Sequence, residues 1–314
     1  AARGAELSSI GQLKAEQVEA WRRERLLDTR LTALDPLMAT AVVRWLAHPG
    51  DRAVAARIGQ KLAQERDLHR YRTVLLAAPD GRLLMALDPA ATEIDAPARD
   101  LVRKTAESGQ AGFGAAHRAA DSGAVLLDIA APVFDLERRV RAVLLVRTTP
   151  EVDLFVLLQA WPTPSRSAEA LLVRSDGADA VYLNRPRHSN APALSLRWPL
   201  GGDPVLATRA ARGDTGIVRG RDYRGVEVLA DLRPVSDSDW ALVAKVDAAE
   251  ILAEANYRGR VIAGFAGGGI ALTALLFAAF VSAQRQEGYL RLYRAERERR
   301  EALVRDEREH LEGR

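Results

Sequence analysis

A chain of 314 residues that is 48% hydrophobic is long enough for more than one buried core. It contains no cysteine, which excludes a disulfide framework and thiolate chemistry. Forty-five Lys and Arg against 42 Asp and Glu leave a net charge of only +3, and no basic stripe interleaved with aromatics is present, so the composition offers no nucleic-acid interface.

Leu27, Leu31, Leu34, Met38, Val42 and Trp45 recur at three-to-four spacing, which predicts a helix with one apolar face. Ile10, Leu13 and Trp21 indicate that the helix begins much earlier. Asp35-Pro36 predicts a kink or a fresh start, because Asp caps helices and Pro opens them. His48, Pro49, Gly50 and Asp51 form a turn signal, and residues 52–68 read as a further helix. The pattern then changes. TVLLAAPDGRLLMALD, residues 73–88, is two apolar runs around Asp80-Gly81, a hairpin signature because Gly accepts positive φ. A helix over 96–108 and three strands over 113–121, 123–135 and 140–148 follow.

The same plan recurs. ALLVRSDGADAVYLN, residues 170–184, places two runs around Asp176-Gly177; a helix over 204–211 and strands over 216–223, 226–235 and 240–247 complete the copy. The two Asp-Gly turns are 96 residues apart. LLDIAAPV (126–133) resembles LADLRPV (229–235), which aligns Asp128 with Asp231, 103 residues on. This is an internal repeat at domain scale. It predicts an α+β protein: helices over 1–68, then two modules with antiparallel sheets, 69–160 and 161–250, joined through the proline-containing WPTPSRS at 161–167.

VIAGFAGGGIALTALLFAAFVSA, residues 261–283, carries no charge. About 20 apolar residues span a bilayer, and a soluble core helix would show a polar stripe where this one offers only Thr273 and Ser282. Gly264 and Gly268 either let two such helices approach or are simply tolerated. Arg285, Arg291, Arg294 and Arg297 on the C-terminal flank place that side in the cytoplasm and residues before 261 outside it. Export of such a domain requires a signal or membrane helix, so one is expected upstream of Ala1. Residues 284–314 are charged and helical in composition, and read as a coiled-coil linker or a solvated helix; the heptad Leu290, Tyr293, Arg297, Arg300, Val304, Glu307, Leu311 is apolar only at its ends. His310 lacks the surroundings of a phospho-accepting histidine and reads as a surface residue.

LLQAWPTPSRSAEALLVRSDG (157–177) and GRDYRGVEVLADLRPVSDSDWALVAKVDAAEI (220–251), set behind a long helix and ahead of a membrane segment, resemble the double Cache sensors of bacterial receptors, in particular those of histidine kinases. The resemblance covers about residues 6–283. It implies two tandem PAS-like modules outside the inner (cytoplasmic) membrane, a small ligand in the membrane-distal one, a homodimer with the N-terminal helices packed together, and a cytoplasmic output. The reading is the input half of a sensor histidine kinase. The alternatives are the same sensor feeding a diguanylate cyclase or chemoreceptor, and a membrane-anchored partner-binding protein with no small ligand.

No phosphate-binding loop, zinc-protease motif or nucleophile elbow occurs, and the five histidines lack metal spacing, so no catalytic group, metal or cofactor is expected. The candidates are for binding. Asp128 lies inside an apolar run, where an unpaired carboxylate is costly. It faces a ligand, pairs internally or lies at a solvated edge; its apparent repeat in Asp231 also allows a role in the fold. His117 and Arg118 lie on the preceding strand, one of them facing inward by alternation. Tyr71 and Arg72 lie where helix gives way to the first strand. An Asp with an Arg suits the amine and carboxylate of an amino acid. The Arg-x-Trp pattern of amino-acid-sensing relatives is missing from the expected strand, which leaves an organic acid or other small solute equally open.

Overall fold

The computed structural model describes residues 2–312 apart from 89, 90, 92, 121 and 203; it excludes the side chains of 2, 254–262, 283–292 and 300–312. Most of the heptad positions and the surface placement expected for His310 fall on those excluded side chains. Residues 1–251 form one compact unit and 252–314 another.

Three helices open the first unit: α1 (Ala2–Leu34), α2 (Pro36–Ala47) and α3 (Arg52–His69). The expected break is a cap, since the Asp35 carboxylate accepts hydrogen bonds from the Leu37 and Met38 backbone N–H. Asp51 caps α3 through Val54 N–H. The first module follows, with β1 (Thr73–Ala77), β2 (Leu83–Ala86), α4 (Ala96–Ser108), β3 (Gly112–Phe113), β4 (His117–Arg118), β5 (Val125–Phe134) and β6 (Val140–Thr148). A short α5 (Leu154–Gln159) leads to the second, with β7 (Glu169–Asp176), β8 (Asp179–Tyr182), β9 (Arg197–Pro199), α6 (Leu206–Ala211), β10 (Gly216–Arg221), β11 (Glu227–Pro234) and β12 (Trp240–Asp247).

The sheets run β2-β1-β6-β5-β3, with β4 also on β5, and β10-β11-β12-β7-β8-β9, all antiparallel. Read from the opposite edge, the second is the first with β9 added, so the internal repeat is a repeat of topology. One expected strand needed correction, and two short elements had not been expected. The strand expected over 113–121 is two pieces, because the chain leaves the ladder after Gly114, whose N–H still bonds Asp128 O at 2.8 Å, and rejoins it at His117 opposite Leu126 with the register shifted by one residue. The six-residue α5 and three-residue β9 were not anticipated, being too short to show a period.

The alignment of Asp128 with Asp231 also fails. Leu75 opposes Leu145, which opposes Ala130; Leu171, at the same distance from its Asp-Gly turn, opposes Val243, which opposes Leu232. Ala130 and Leu232 are therefore counterparts, and Asp128 corresponds to Ala230. Asp231 is one residue out of step and lies on the other face. There α1 passes so close at Gly11 that a Cβ would stand 2.2 Å from the Asp231 carboxylate. Burial pushes that carboxyl up in pKa, against the Arg233 guanidinium 2.5 Å away.

Both sheets are covered on two faces. Helix α1, about 50 Å long at 1.5 Å per residue, lines both modules: Ala15, Val18 and Trp21 share one core with Val125 and Leu127 of the first sheet and Leu172 and Leu242 of the second. Helices α2 and α3 close a second core over β1, β5 and β6. The opposite faces carry α4 over Leu75, Ala130 and Leu145, and α6 over Leu171, Ala230 and Val243. Arg22 of α1 is sandwiched between the rings of Phe113 (4.2 Å) and Trp240 (4.6 Å), one from each module, and burial lowers its pKa to about 10.

The second unit is a single helix. It is the body of α7 (Ala248–Glu312), within which Ala263–Ser282 is long and apolar enough to cross a membrane. Thr273 and Ser282 satisfy their hydroxyls on carbonyls of their own helix, as an apolar surrounding requires.

Candidate functional site

At one end of the face covered by α4, the apolar core gives way to four polar side chains. Asp128 of β5 and Arg147 of β6 are direct cross-strand partners. Their side chains form a two-pronged pair, Nε to Oδ1 at 2.7 Å and Nη2 to Oδ2 at 2.9 Å. Asp128 is only 1% exposed, so this pairing is what makes its burial tolerable. Arg147 also reaches Asp95 at 2.7 Å. Asp95 is the N-cap of α4, accepting from Ala98 N–H at 3.1 Å. His117 of β4 completes the group: Nε2 lies 3.7 Å from Asp95 and 3.8 Å from Asp128, without a hydrogen-bond partner among the described residues, while Nδ1 meets the Ala115 carbonyl at 3.1 Å.

The electrostatics follow from this crowding. The His117 ring, helped by Arg147 and the Ala98 N–H, holds the Asp95 carboxyl well below the usual carboxylate range against the opposing effect of burial. Asp95 in turn raises the His117 pKa, with help from the Ala115 carbonyl and Asp128 and against burial. A raised folded-state pKa means that the His117 contribution to stability is fully present below its unfolded value of about 6.5 and is lost as pH rises through the folded value. Thermal melts of residues 6–258 across that window are expected to fall with rising pH in the wild type and to flatten in His117→Gln. Parallel curves would mean that the ring contributes nothing.

Chemically, the group offers two carboxylates and an imidazole to a cation, and a guanidinium to an anion. Asp95, His117 and Asp128 also bring one ligand atom each to within 4.8 Å of one another, a spacing that would suit a metal ion. Arg147 already lies on both carboxylates, and its charge opposes a cation there.

Of the five residues expected to bind ligand, the fold brings together two, His117 and Asp128. Of the pair His117 and Arg118, His117 faces inward; Arg118 is exposed and donates to Ala193 O of the second module at 3.1 Å. Tyr71 lies in the core under α1 and α3, stacked on His69 with Arg25 over its ring, where burial pushes its pKa up to about 12. Arg72 is exposed and reaches Ser122. Asp95 and Arg147 were not anticipated. Asp95 stood in the sequence as the last residue before a helix, and Arg147 in alternation on a strand, signals that mark caps and exposed faces as often as sites.

The second module holds the counterpart of Arg147. Lys245 opposes Ala230 just as Arg147 opposes Asp128, and its ammonium is fully buried between Glu169 and Asp222, each at 2.8 Å. Tyr223 donates to Glu169 at 3.1 Å, and Arg224 pairs with Asp222 at 2.7 Å. Burial raises the Asp222 carboxyl, but Lys245 and Arg224 outweigh it and leave its pKa lowered.

No family model and no curated protein matches the sequence. Solved structures do. The sensory domain of the Campylobacter jejuni chemoreceptor Tlp3 (CcmL) superposes with a TM-score of 0.60 at 15% identity, covering 80% of this chain and 95% of that one. The ligand-binding domain of Pseudomonas fluorescens CtaA in complex with L-alanine gives 0.53 at 18%, covering 79% and 98%. That of the Pseudomonas aeruginosa amino acid chemoreceptor PctC in complex with GABA gives 0.53 at 17%, covering 78% and 100%. With two modules of one topology on a shared helix, the chain has the fold of these domains, as the resemblance to double Cache modules implied, and its sequence continues into a helix long and apolar enough to cross a membrane.

Proposed function

We propose that the protein senses a small molecule outside the inner membrane and passes the signal through residues 263–282 to a cytoplasmic output. The observation that carries the reading is the half-buried Arg147 held between Asp128 and Asp95 beside His117. These groups can change partners. A ligand amine would take the carboxylates and a ligand carboxylate would take the guanidinium, replacing an internal ion pair by one made with the solute. The ligands named with the structural relatives, L-alanine and GABA, carry both groups. An amino acid or a related amine or acid is the class we favour here. The ligand acts by binding one arrangement of sheet and α4 better than another.

The output we propose is a histidine kinase, on the resemblance of residues 157–177 and 220–251; the structural relatives are chemoreceptors, which gives a chemoreceptor output equal standing. ATP-dependent histidine phosphorylation of the whole protein in membranes would support the kinase, and its absence would favour the alternative. A homodimer is also part of the proposal. Leu13, Leu27, Leu31 and Leu34 of α1 are each 45–59% exposed and form one stripe, with Leu13, Leu27 and Leu34 in heptad register. Sedimentation of residues 6–258 as a monomer at all concentrations would remove the partner.

The test of the ligand is a thermal-shift screen of residues 6–258 against amino acids, organic acids, amines and nucleobases. Binding to the folded state raises the melting temperature by mass action. A hit is expected among solutes carrying an amine or a carboxylate. A well-folded protein with no hit across the panel would shift the reading to a partner-binding module.

A further inference from the structure

The linker between the modules and the loop after β8 enclose a cleft of about 600 Å³, within the size range of small-molecule sites. None of Asp95, His117, Asp128 and Arg147 lines it. Its walls differ in chemistry. Trp161, half-buried in the linker, presents a flat apolar surface. Arg185 and Arg187 of the loop present two guanidiniums. Their hydrogen bonds go to neutral acceptors: Arg185 to Ser189 O at 3.4 Å and Asn190 Oδ1 at 3.3 Å, Arg187 to Ala168 O at 3.1 Å and Ser165 O at 3.5 Å. Neither has a carboxylate partner among the described residues. The acid that does reach the cleft, Glu169, is engaged elsewhere, by Lys245 and the Tyr223 hydroxyl. The cleft therefore presents, beside an indole, two guanidiniums that no carboxylate pairs among the described residues.

We propose that this cleft is a second ligand site, for a small organic carboxylate with a flat apolar body. The carboxylate lies between Arg185 and Arg187, whose forked donors match it, and the body lies against Trp161. The site does not depend on the reading of the first module. Its place in the chain gives occupancy a route to the signal. Ser165, on the same wall, donates its hydroxyl to Glu250 Oε1 at 2.8 Å, and the backbone N–H groups of Arg166 and Ser167 bind the same carboxylate at 3.1 and 2.9 Å. Glu250 lies in the first turn of α7, so a ligand resting on this linker bears on the segment that fixes the start of that helix.

The experiment uses the full chain in lipid nanodiscs and three probes of one shape: benzoate, neutral benzamide and cationic benzylamine. Isothermal titration and tryptophan quenching are read together. Saturable binding of benzoate alone is expected, weakened about tenfold by Arg185→Gln, the loss of one charge-assisted hydrogen bond, and weakened further by Arg185→Gln with Arg187→Gln. Because Arg187 also ties the linker, Trp161→Ala is the second variant: it removes the stacking surface without touching either guanidinium. Absence of saturable benzoate binding overturns the proposal. So does binding of benzamide as tight as that of benzoate, binding indifferent to all three substitutions, or binding abolished by Asp128→Asn, which would put the carboxylate in the first module.

Discussion

Lys245→Met is expected to lose about 3–5 kcal/mol of stability, the cost of removing one partner from a buried ionic group. Few domains have much more than that to lose, since total stabilities run from about 5 to 15 kcal/mol. Lys245 is 0% exposed and is the cation shared by Glu169 and Asp222, which are 6% and 2% exposed. Met fills the volume of the stem but leaves Glu169 with neutral donors, the Tyr223 hydroxyl and the Arg187 N–H, and Asp222 with Arg224 and the Val226 N–H. Urea unfolding of residues 6–258 followed by tryptophan fluorescence measures the loss. The control is Lys245→Met with Glu169→Gln and Asp222→Asn. Replacing a whole buried ionic set is often close to neutral, so the triple variant should regain most of the stability. A single variant as stable as the wild type would mean that water reaches the two carboxylates.

Arg147→Met is expected to lose less stability and more function. The same position in the first module is 15% exposed at its side chain, and one of its two carboxylates, Asp95, is 39% exposed and can return to water. Asp128 alone is left buried, with the His117 ring at 3.8 Å in place of the guanidinium, so about 2 kcal/mol is expected, below the range for a fully buried pair. For a ligand bound through a carboxylate, however, the substitution removes the only guanidinium in the cluster. The ligand-induced rise in melting temperature should disappear while the protein remains folded. Arg147→Lys, which keeps the charge but not the fork, should restore stability ahead of the response. A ligand response unchanged in Arg147→Met would move the site away from this cluster.

The contrast between these two positions also shows what the sequence could reveal. Helix α4 and strand β6 were readable to the residue, 96–108 and 140–148, because alternation, caps and turns are local signals. The pairing of Asp128 with Arg147 is not local. It depends on the register of β5 against β6, which includes an irregularity at Val133 and Phe134. Register also undid the alignment of Asp128 with Asp231: a one-residue difference in string length was enough to move an aspartate to the opposite face. Alternation said only that His117 or Arg118 faces inward; which of them approaches Asp128 depends on the one-residue shift of register between Gly114 and His117. Asp95 comes from a helix cap that only the packing of α4 onto the sheet brings to the same place.

Helix α1 also bears on the order in which the molecule is made. Translation delivers it ahead of both modules, whereas the strands that bury Ala15, Val18 and Trp21 include β12, whose Leu242 and Trp240 emerge more than two hundred residues later. The first module can pair its own strands as it leaves the ribosome, but the core it shares with the second cannot close before β12 is out. Contacts of such long sequence separation form late and slowly. During that interval the helix presents its apolar face to whatever is nearby, so a truncated chain ending before β12 would be a client for chaperones and proteases.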